Sequence, residues 1–310
     1  MNTPLQHKYL ITVIGPTAIG KTALAIEIAK YFRCNIISAD SRQFFKEMAI
    51  GTAVPSKDEL EAVKHHFIQN ISIFDDYTVG DFEREAIAKL DELYQSNDIA
   101  VMVGGSGLYI DAVLKGFDDF PDIDITIREK LKEDYEKNGI EYLQQELQRL
   151  DPVHYEKVAK ENPQRLMRAL EVCIGSGKPY SSFLNIKKNS RNFTPVIIGL
   201  DADRELMYSR INQRVDIMVE SGLLEEAREL YPDKKLNALQ TVGYRELFSY
   251  FDGEFTKEFA IEEIKKNTRR FAKRQMTWFK RNEAAMWFDF KTPLPEIINY
   301  IETQTNANIR

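Results

Sequence analysis

Eight consecutive residues, Gly15-Pro16-Thr17-Ala18-Ile19-Gly20-Lys21-Thr22, restrict what this chain can become more than any other stretch. They match the spacing G-x-x-x-x-G-K-[ST] at every fixed position. A short apolar, β-branched run over 9–14 precedes them, and a helical pattern over 21–32, with Leu24, Ile28 and Tyr31 as its apolar positions, follows. Strand, glycine loop and helix in that order let successive backbone N–H groups and a helix N-terminus surround an anion. Gly15 and Gly20 supply backbone angles and a close approach that a Cβ would block. Lys21 adds a point charge, and Thr22 offers a hydroxyl to Mg²⁺. The eight residues together predict a site for two linked phosphates, without specifying ATP or a kinase.

Further buried strands are expected over 35–38, 99–103 (followed by Gly104-Gly105), 196–200 and 286–290, with a helical stretch over 79–94. Apolar strands alternating with helices require crossover connections, so the fold class is α/β: a P-loop NTPase-like, mostly parallel sheet flanked by helices. Between 116 and 192 the sequence turns polar and helix-forming, with expected helices over 127–137, 140–150 and 164–174 and no strand. The domain expectation is a core formed by 1–115 and 193–310, with 116–192 as a helical insertion domain. Long helices are expected over 204–231 and 256–281. With 310 residues, 43% of them hydrophobic, a sizeable core is within reach.

Cys34 and Cys173 lie far apart without metal-ligand spacing, so a reducing cytoplasm fits. Neither an export signal nor a run of about 18 apolar residues is visible. A cytoplasmic monomer without membrane contact is expected.

The formal charge of −6 argues on average against a nucleic-acid partner. Its distribution argues the other way: Lys265, Lys266, Arg269, Arg270, Lys273, Arg274, Lys280 and Arg281 put eight positive charges into seventeen residues without an acid among them. Helical spacing makes part of that run a stripe, with Phe271 and Trp278 beside it. Solvated helix faces usually interleave charge signs, which favours an RNA footprint over an ordinary surface helix.

Asp40 sits at the carboxyl end of an expected buried strand, where ligands of open α/β sheets bind, and so should face the phosphate loop. Three roles are open to it on the residues alone: holding Mg²⁺, taking a proton from a nucleophile, or capping its own turn. His65, His66 and His154 read as structural or surface residues, and Phe44 and Phe45 as core. Trp278 and Trp287 read as packing or base-stacking residues.

Asp40-Ser41-Arg42-Gln43, then Met48-Ala49-Ile50-Gly51-Thr52-Ala53, Val103 to Tyr109, Asn162 to Glu171, Val242 to Glu246 and Lys266 to Phe279 follow one another in a set order. With the phosphate loop ahead of them, these blocks resemble the tRNA dimethylallyltransferases, over residues of about 10 to 290. The chain departs from that pattern at Phe45, where the family usually has tyrosine, and at Ser106, where it has threonine. Its His-x-x-Asp segment appears here as His65-His66-Phe67-Ile68-Gln69, so a hydroxyl and a carboxylate are missing.

The resemblance implies transfer of a dimethylallyl group from dimethylallyl diphosphate to N6 of adenosine 37 in the tRNA anticodon stem-loop, with Mg²⁺ as cofactor. It implies that Asp40 is the catalytic base. Lys21, Thr22 and Arg214 would stabilise the departing diphosphate, with Thr22 on the metal. Without the resemblance, Arg214 would read as a solvated helix cation. An extruded adenine is expected, because a stacked base cannot reach a diphosphate in a sheet cleft. By family correspondence the tRNA contacts fall on Asp40, Ser41, Arg42 and Gln43, on Ser106, and on Arg128. They continue on Gln164, Arg165, Leu166, Met167 and Arg168, where Arg165 would hold the vacated stack position. A further group is Thr241, Val242, Gly243, Tyr244 and Arg245. The last is Lys273, Arg274, Gln275, Thr277, Trp278 and Lys280. Three competitors remain at this point: a nucleotide or metabolite kinase, an enzyme prenylating free adenine nucleotides, and a non-enzymatic RNA-binding protein.

Overall fold

A computed structural model describes residues 7–118, 120–184 and 191–305. In chain order the core begins with β1 (Tyr9–Ile14), α1 (Lys21–Phe32), β2 (Ile36–Ser38), α2 (Lys57–Ala62), β3 (His65–His66), α3 (Val79–Leu93), β4 (Ile99–Val103) and α4 (Gly107–Lys115). Three helices follow, α5 (Ile125–Leu150), α6 (Pro152–Tyr155) and α7 (Pro163–Ser176). The core resumes with β5 (Thr194–Asp201), α8 (Arg204–Glu220), α9 (Leu223–Leu230), α10 (Tyr244–Phe251), α11 (Lys257–Phe279), β6 (Ala285–Asp289) and α12 (Leu294–Thr305). Described residues up to Lys115 and from Arg191 onward form one compact unit, and those from Gly116 to 184 another.

All six strands pair parallel, in the order β3-β2-β4-β1-β5-β6. Every residue of β1 is buried, as expected for a central parallel strand covered on both faces. Alternation along β1 divides the core in two. Tyr9, Ile11 and Val13 pack with α1 and α12, through residues such as Ile28 and Ile301. Leu10 and Ile14 pack on the opposite face with Phe82, Ala86 and Leu90 of α3 and Ile110 of α4. A third cluster joins Phe45 and Met48 to Leu223, Tyr244 and Ile264.

The strand expectations hold to within two residues at each end, whereas β3 was not foreseen: two half-buried histidines carry no apolar signal. The expected helix over 204–231 is two, α8 and α9, because Gly222 adopts φ 102° between them. The two helices expected within 127–150 are both present in α5, divided at Gly139, whose φ 77° and ψ −173° are not helical. In the second unit, Leu131, Leu143 and Leu147 of α5 pack on Leu166, Met167, Leu170 and Cys173 of α7. No described helix is long and apolar enough to cross a membrane.

The loop after β2 is shaped by one carboxylate from a distant helix. Glu226 of α9 accepts the N–H groups of Ala49, Ile50 and Gly51 at 2.9, 2.7 and 2.8 Å, together with the Tyr244 hydroxyl at 2.7 Å. Tyr244 in turn occupies the space that a Cβ on Gly51 would need. Glu226→Ala leaves three N–H groups without an acceptor and is expected to cost about 2 to 4 kcal/mol in urea unfolding. A loss below about 0.5 kcal/mol would show that the loop holds its shape without the carboxylate.

Candidate active site

The phosphate loop connects the tip of β1 to the start of α1 and takes a shape only this local sequence permits. Gly15 adopts φ 149°, and a Cβ there would come within 2.7 Å of the Leu200 carbonyl on β5. Gly20 adopts φ 105° as the N-cap of α1. Ala18 is left-handed too, at φ 64°, with its carbonyl accepting Arg210 Nε at 2.9 Å. Lys21 folds back over the loop, its Nζ donating to the Pro16 carbonyl at 2.8 Å. Burial pushes the Lys21 ammonium down to about 8, with the Asp40 carboxylate pulling it up and Arg214 pushing it further down. Burial also lowers Arg214, again opposed by Asp40. The three charges therefore share one electrostatic site.

Strand order explains how they meet. β4 lies between β1 and β2, so the tips carrying the phosphate loop and Asp40 stand two strand spacings apart, about 10 Å. β4 ends in Gly104-Gly105, which keeps the intervening tip low. A Cβ on Gly104 would come within 2.3 Å of the Ala39 carbonyl, and one on Gly105 would be 3.4 Å from Asp40 Oδ2. Asp40 Oδ1 accepts the Arg42 N–H at 3.3 Å, so the turn-capping role is real, and it leaves Oδ2 available. Ser41 holds the two loops together: its N–H donates to Ser106 Oγ at 2.9 Å, and the two hydroxyls lie 3.0 Å apart.

Two cavities open at these tips. One, of about 500 Å³, is lined by Asp40, Ser41, Ser106, Thr241, Arg245 and Arg274 among others. The second, about 880 Å³, is lined by Gly20, Lys21, Thr22, Arg210 and Gln213. Arg214 and Met218 line both. The arrangement can grip an anion on one side and present a carboxylate to a second reactant on the other.

Several residues assigned from sequence lie in the core or have polar atoms committed within the protein, although Arg42, Gly243, Gln275 and Trp278 also line the first cavity. Leu166 and Met167 are core residues of the helical unit, because the inner face of α7 packs on α5. On the other face Gln164 and Arg165 are exposed, while Arg128 donates to Glu171 and Gln164, and Arg168 to Glu171. Tyr244 is fully buried against Gly51, and the Gly243 N–H is taken by Glu246. Gln43 is buried, its Nε2 donating to the carbonyls of Thr52 and Ala53. Arg42 donates to the carbonyls of Asn237 and Ala238, so it braces the segment leading to Thr241 and Val242. Gln275 is buried, with Oε1 accepting the Thr17 N–H at 2.9 Å and Nε2 donating to the Gly105 carbonyl at 2.8 Å. Trp278 donates through Nε1 to Asp111 at 2.8 Å and packs, partly buried, against the core, its Cδ1 and Nε1 occupying the space that a Cβ on Gly107 would need.

The basic run on α11 is less free than its sequence suggests. Lys265 pairs with Asp216 and Glu262, Lys266 with Glu263, and Lys280 with Asp201 while lying over the Trp287 ring. Arg269 donates to Asn212. These partners come from the preceding turn, from α8 and from the end of β5, which the run's own composition could not reveal. Lys273, Arg274 and Thr277 remain exposed. Arg210 was missed from sequence, although it stands one helical turn before Arg214 on α8 and so shares its face.

A family model described as IPP transferase matches residues 43–282. A tRNA dimethylallyltransferase of Flavobacterium johnsoniae is 67% identical over 97% of this chain and 100% of its own length. One from Christiangramia forsetii is 61% identical over 97% of this chain and 100% of its own. The solved structure of a full-length tRNA isopentenylpyrophosphate transferase from Bacillus halodurans aligns with a TM-score of 0.72 at 34% identity, covering 96% of this chain and 97% of that one. A structure of a eukaryotic dimethylallyltransferase acting on tRNA aligns at 0.81 and 24% identity, over 98% and 81%, which bears on the fold.

The lowered Lys21 value has a measurable sign. Between about pH 8 and 10.5 the unfolded chain holds a proton at this side chain that the folded chain has lost, so this group's contribution to stability rises with pH across that window. A bound anion restores the charge, so pyrophosphate binding near pH 9 is expected to take up a proton. Calorimetry in buffers of different ionisation enthalpy checks this. Proton uptake near pH 9 should exceed that in Lys21→Met, where only pyrophosphate's own ionisation remains, and the difference should fade near pH 7; equal uptake by the two near pH 9 would contradict the assignment.

Proposed function

The chain belongs to the IPP transferase family, and on that premise we infer that it transfers a dimethylallyl group from dimethylallyl diphosphate to N6 of adenosine 37 in tRNA, giving N6-isopentenyladenosine and diphosphate. One observation carries the reading: a half-buried lysine–arginine pair at a phosphate loop and the Asp40 carboxylate act on one another across a glycine-lowered strand tip.

The chemistry suits that arrangement. The adenine amine is a weak nucleophile because its lone pair is delocalised into the ring. As N6 forms its bond to C1 of the donor, the C1–O bond breaks and its electron pair leaves with the diphosphate. Lys21, Arg214 and the N–H groups of the loop from Gly15 to Thr22 stabilise the charge that gathers there. Asp40 accepts the proton released from N6. The side chain of Ile19 is buried, so this residue serves the loop through its backbone.

Mg²⁺ fits the donor side. No described cluster of three or more His, Cys, Asp or Glu residues could hold a metal, so its oxygens would come mainly from the diphosphate, with the Thr22 hydroxyl completing the set. Bound there, it would neutralise leaving-group charge. For the RNA acceptor, the core unit exposes Arg245, Lys273 and Arg274, and the helical unit, taken by itself, exposes Arg165 to RNA phosphates and bases. These reactants point to a cytoplasmic enzyme.

Incubation with dimethylallyl diphosphate and unmodified tRNA, without ATP, is expected to yield isopentenyladenosine on nucleoside mass analysis. ATP consumption without that product would instead indicate a kinase. Asp40→Asn should lower single-turnover transfer by about 10²- to 10⁴-fold with tRNA affinity changed less than about threefold; transfer at the unsubstituted rate would remove Asp40 from its role. Lys273→Ala should reduce the slope of log affinity against log salt by roughly 0.7 to 0.9, the share of one phosphate contact, and an unaltered slope would take Lys273 out of the RNA footprint.

A further inference from the structure

Gln275 lies on α11, amid the residues that carry the exposed Lys273, Arg274 and Thr277, yet its side chain points inward and both ends of its amide are used. Oε1 accepts the Thr17 N–H at 2.9 Å, and Nε2 donates to the Gly105 carbonyl at 2.8 Å. One side chain thus ties the phosphate loop to the glycine pair at the tip of β4. Its seat is specific. A Cβ on Gly105 would come within 2.4 Å of Nε2, so the amide fills the volume that any other residue at 105 would occupy. That same Cβ would lie 3.4 Å from Asp40 Oδ2, so the tether ends beside the carboxylate.

The tether also acts on a strained backbone. Ala18, next to Thr17, holds φ 64°, a left-handed conformation that a residue with a Cβ adopts only when its surroundings impose it. Gln275 fixes the backbone on one side of Ala18 through the Thr17 N–H, and Arg210 fixes it on the other through the Ala18 carbonyl. With its N–H committed to Gln275, Thr17 orients the loop, and later N–H groups remain to face the anion.

We propose that Gln275 is a positioning residue for the transfer reaction: its buried amide sets the phosphate loop at a fixed distance from Asp40, so that a donor gripped by its diphosphate presents C1 to the nucleophile. This rests on the reaction inferred above and gives the glutamine a role in diphosphate placement rather than in RNA contact. Loss of the tether lets Ala18 relax and the loop's anion-facing N–H groups diverge. Diphosphate affinity and kcat fall together, while the RNA-facing side of α11 is untouched.

Two variants test this, Gln275→Met, of similar size and without either hydrogen bond, and Gln275→Glu, which keeps an acceptor for Thr17. In Gln275→Met, Mg²⁺-pyrophosphate affinity by calorimetry and kcat are each expected to fall by about tenfold or more, the effect of one buried group left unpaired. The Thr17 amide should lose its hydrogen-exchange protection, and tRNA affinity should change less than about twofold. Gln275→Glu should retain Thr17 protection, its carboxylate still accepting that N–H, although the added charge beside Asp40 also weakens pyrophosphate binding; lost Thr17 protection there would contradict the tether even if the methionine variant folds poorly. Overturning results are tRNA affinity falling in step with activity at unchanged pyrophosphate affinity, or Thr17 protection unaltered in Gln275→Met. Absence of transfer by the unsubstituted enzyme would sink the inferred reaction instead, since pyrophosphate affinity and amide exchange judge the tether without any transfer.

Discussion

Two half-buried cations, Lys21 and Arg214, lie within electrostatic reach of one shared carboxylate, Asp40, and Glu59 acts on Arg214 as well. Burial lowers the Lys21 ammonium, and Arg214 pushes the same way; Asp40 opposes both. Arg210, bonded to the Ala18 carbonyl, brings a third cation to the loop against the carboxylates of Asp40 and Glu59, so positive charge is left in excess there, which a diphosphate complements. Everything else in the core unit maintains this imbalance at short range. Parallel pairing brings the tips of β1, β4 and β2 side by side. The glycines ending β4 keep the gap between the outer two from being filled.

The loops around the gap depend on backbone groups satisfied from afar. Glu226 collects three N–H groups of the segment after β2. Arg42 returns from that region to two carbonyls just before Thr241. Arg191 anchors the chain where it re-enters the core, donating to Glu83 at 2.6 Å and to the carbonyls of Ala112 and Val113 at 2.6 and 2.8 Å. Each bond joins residues distant in sequence, so the site is rigid only when the whole unit is folded. A preorganised site of this kind stabilises developing charge without reorganising during the reaction.

What the sequence revealed and what it hid divide along the same line. The phosphate loop was legible because its geometry is local: two glycines, a lysine and a threonine between a strand and a helix. Asp40 was legible because a polar residue at the end of a buried strand has few places to point. Burial was not legible. Gln43, Tyr244 and Gln275 belong to blocks rich in polar and charged neighbours, and only packing shows that their polar atoms face inward. The free charge on α11 was overestimated because Asp201, Asp216 and Asn212 approach it from elsewhere in the chain. The departures at Phe45 and Gln69 differ in setting, since Gln69, left-handed at φ 47°, lines the cavity that holds Lys21 and Thr22. Phe45 packs with Met48 and Ile73, where a phenolic hydroxyl would need a partner, and Gln69 Nε2 donates to the Lys46 carbonyl at 3.0 Å.

A structure of the chain with Mg²⁺-pyrophosphate and an anticodon stem-loop bearing unmodified adenosine 37 would test the central claim most directly. Pyrophosphate should lie on the N–H groups between Gly15 and Thr22 with Lys21 and Arg214 against it, and the adenine N6 should sit within about 2.6 to 3.2 Å of an Asp40 oxygen. An adenine seated away from Asp40, or pyrophosphate bound outside the loop, would contradict the account.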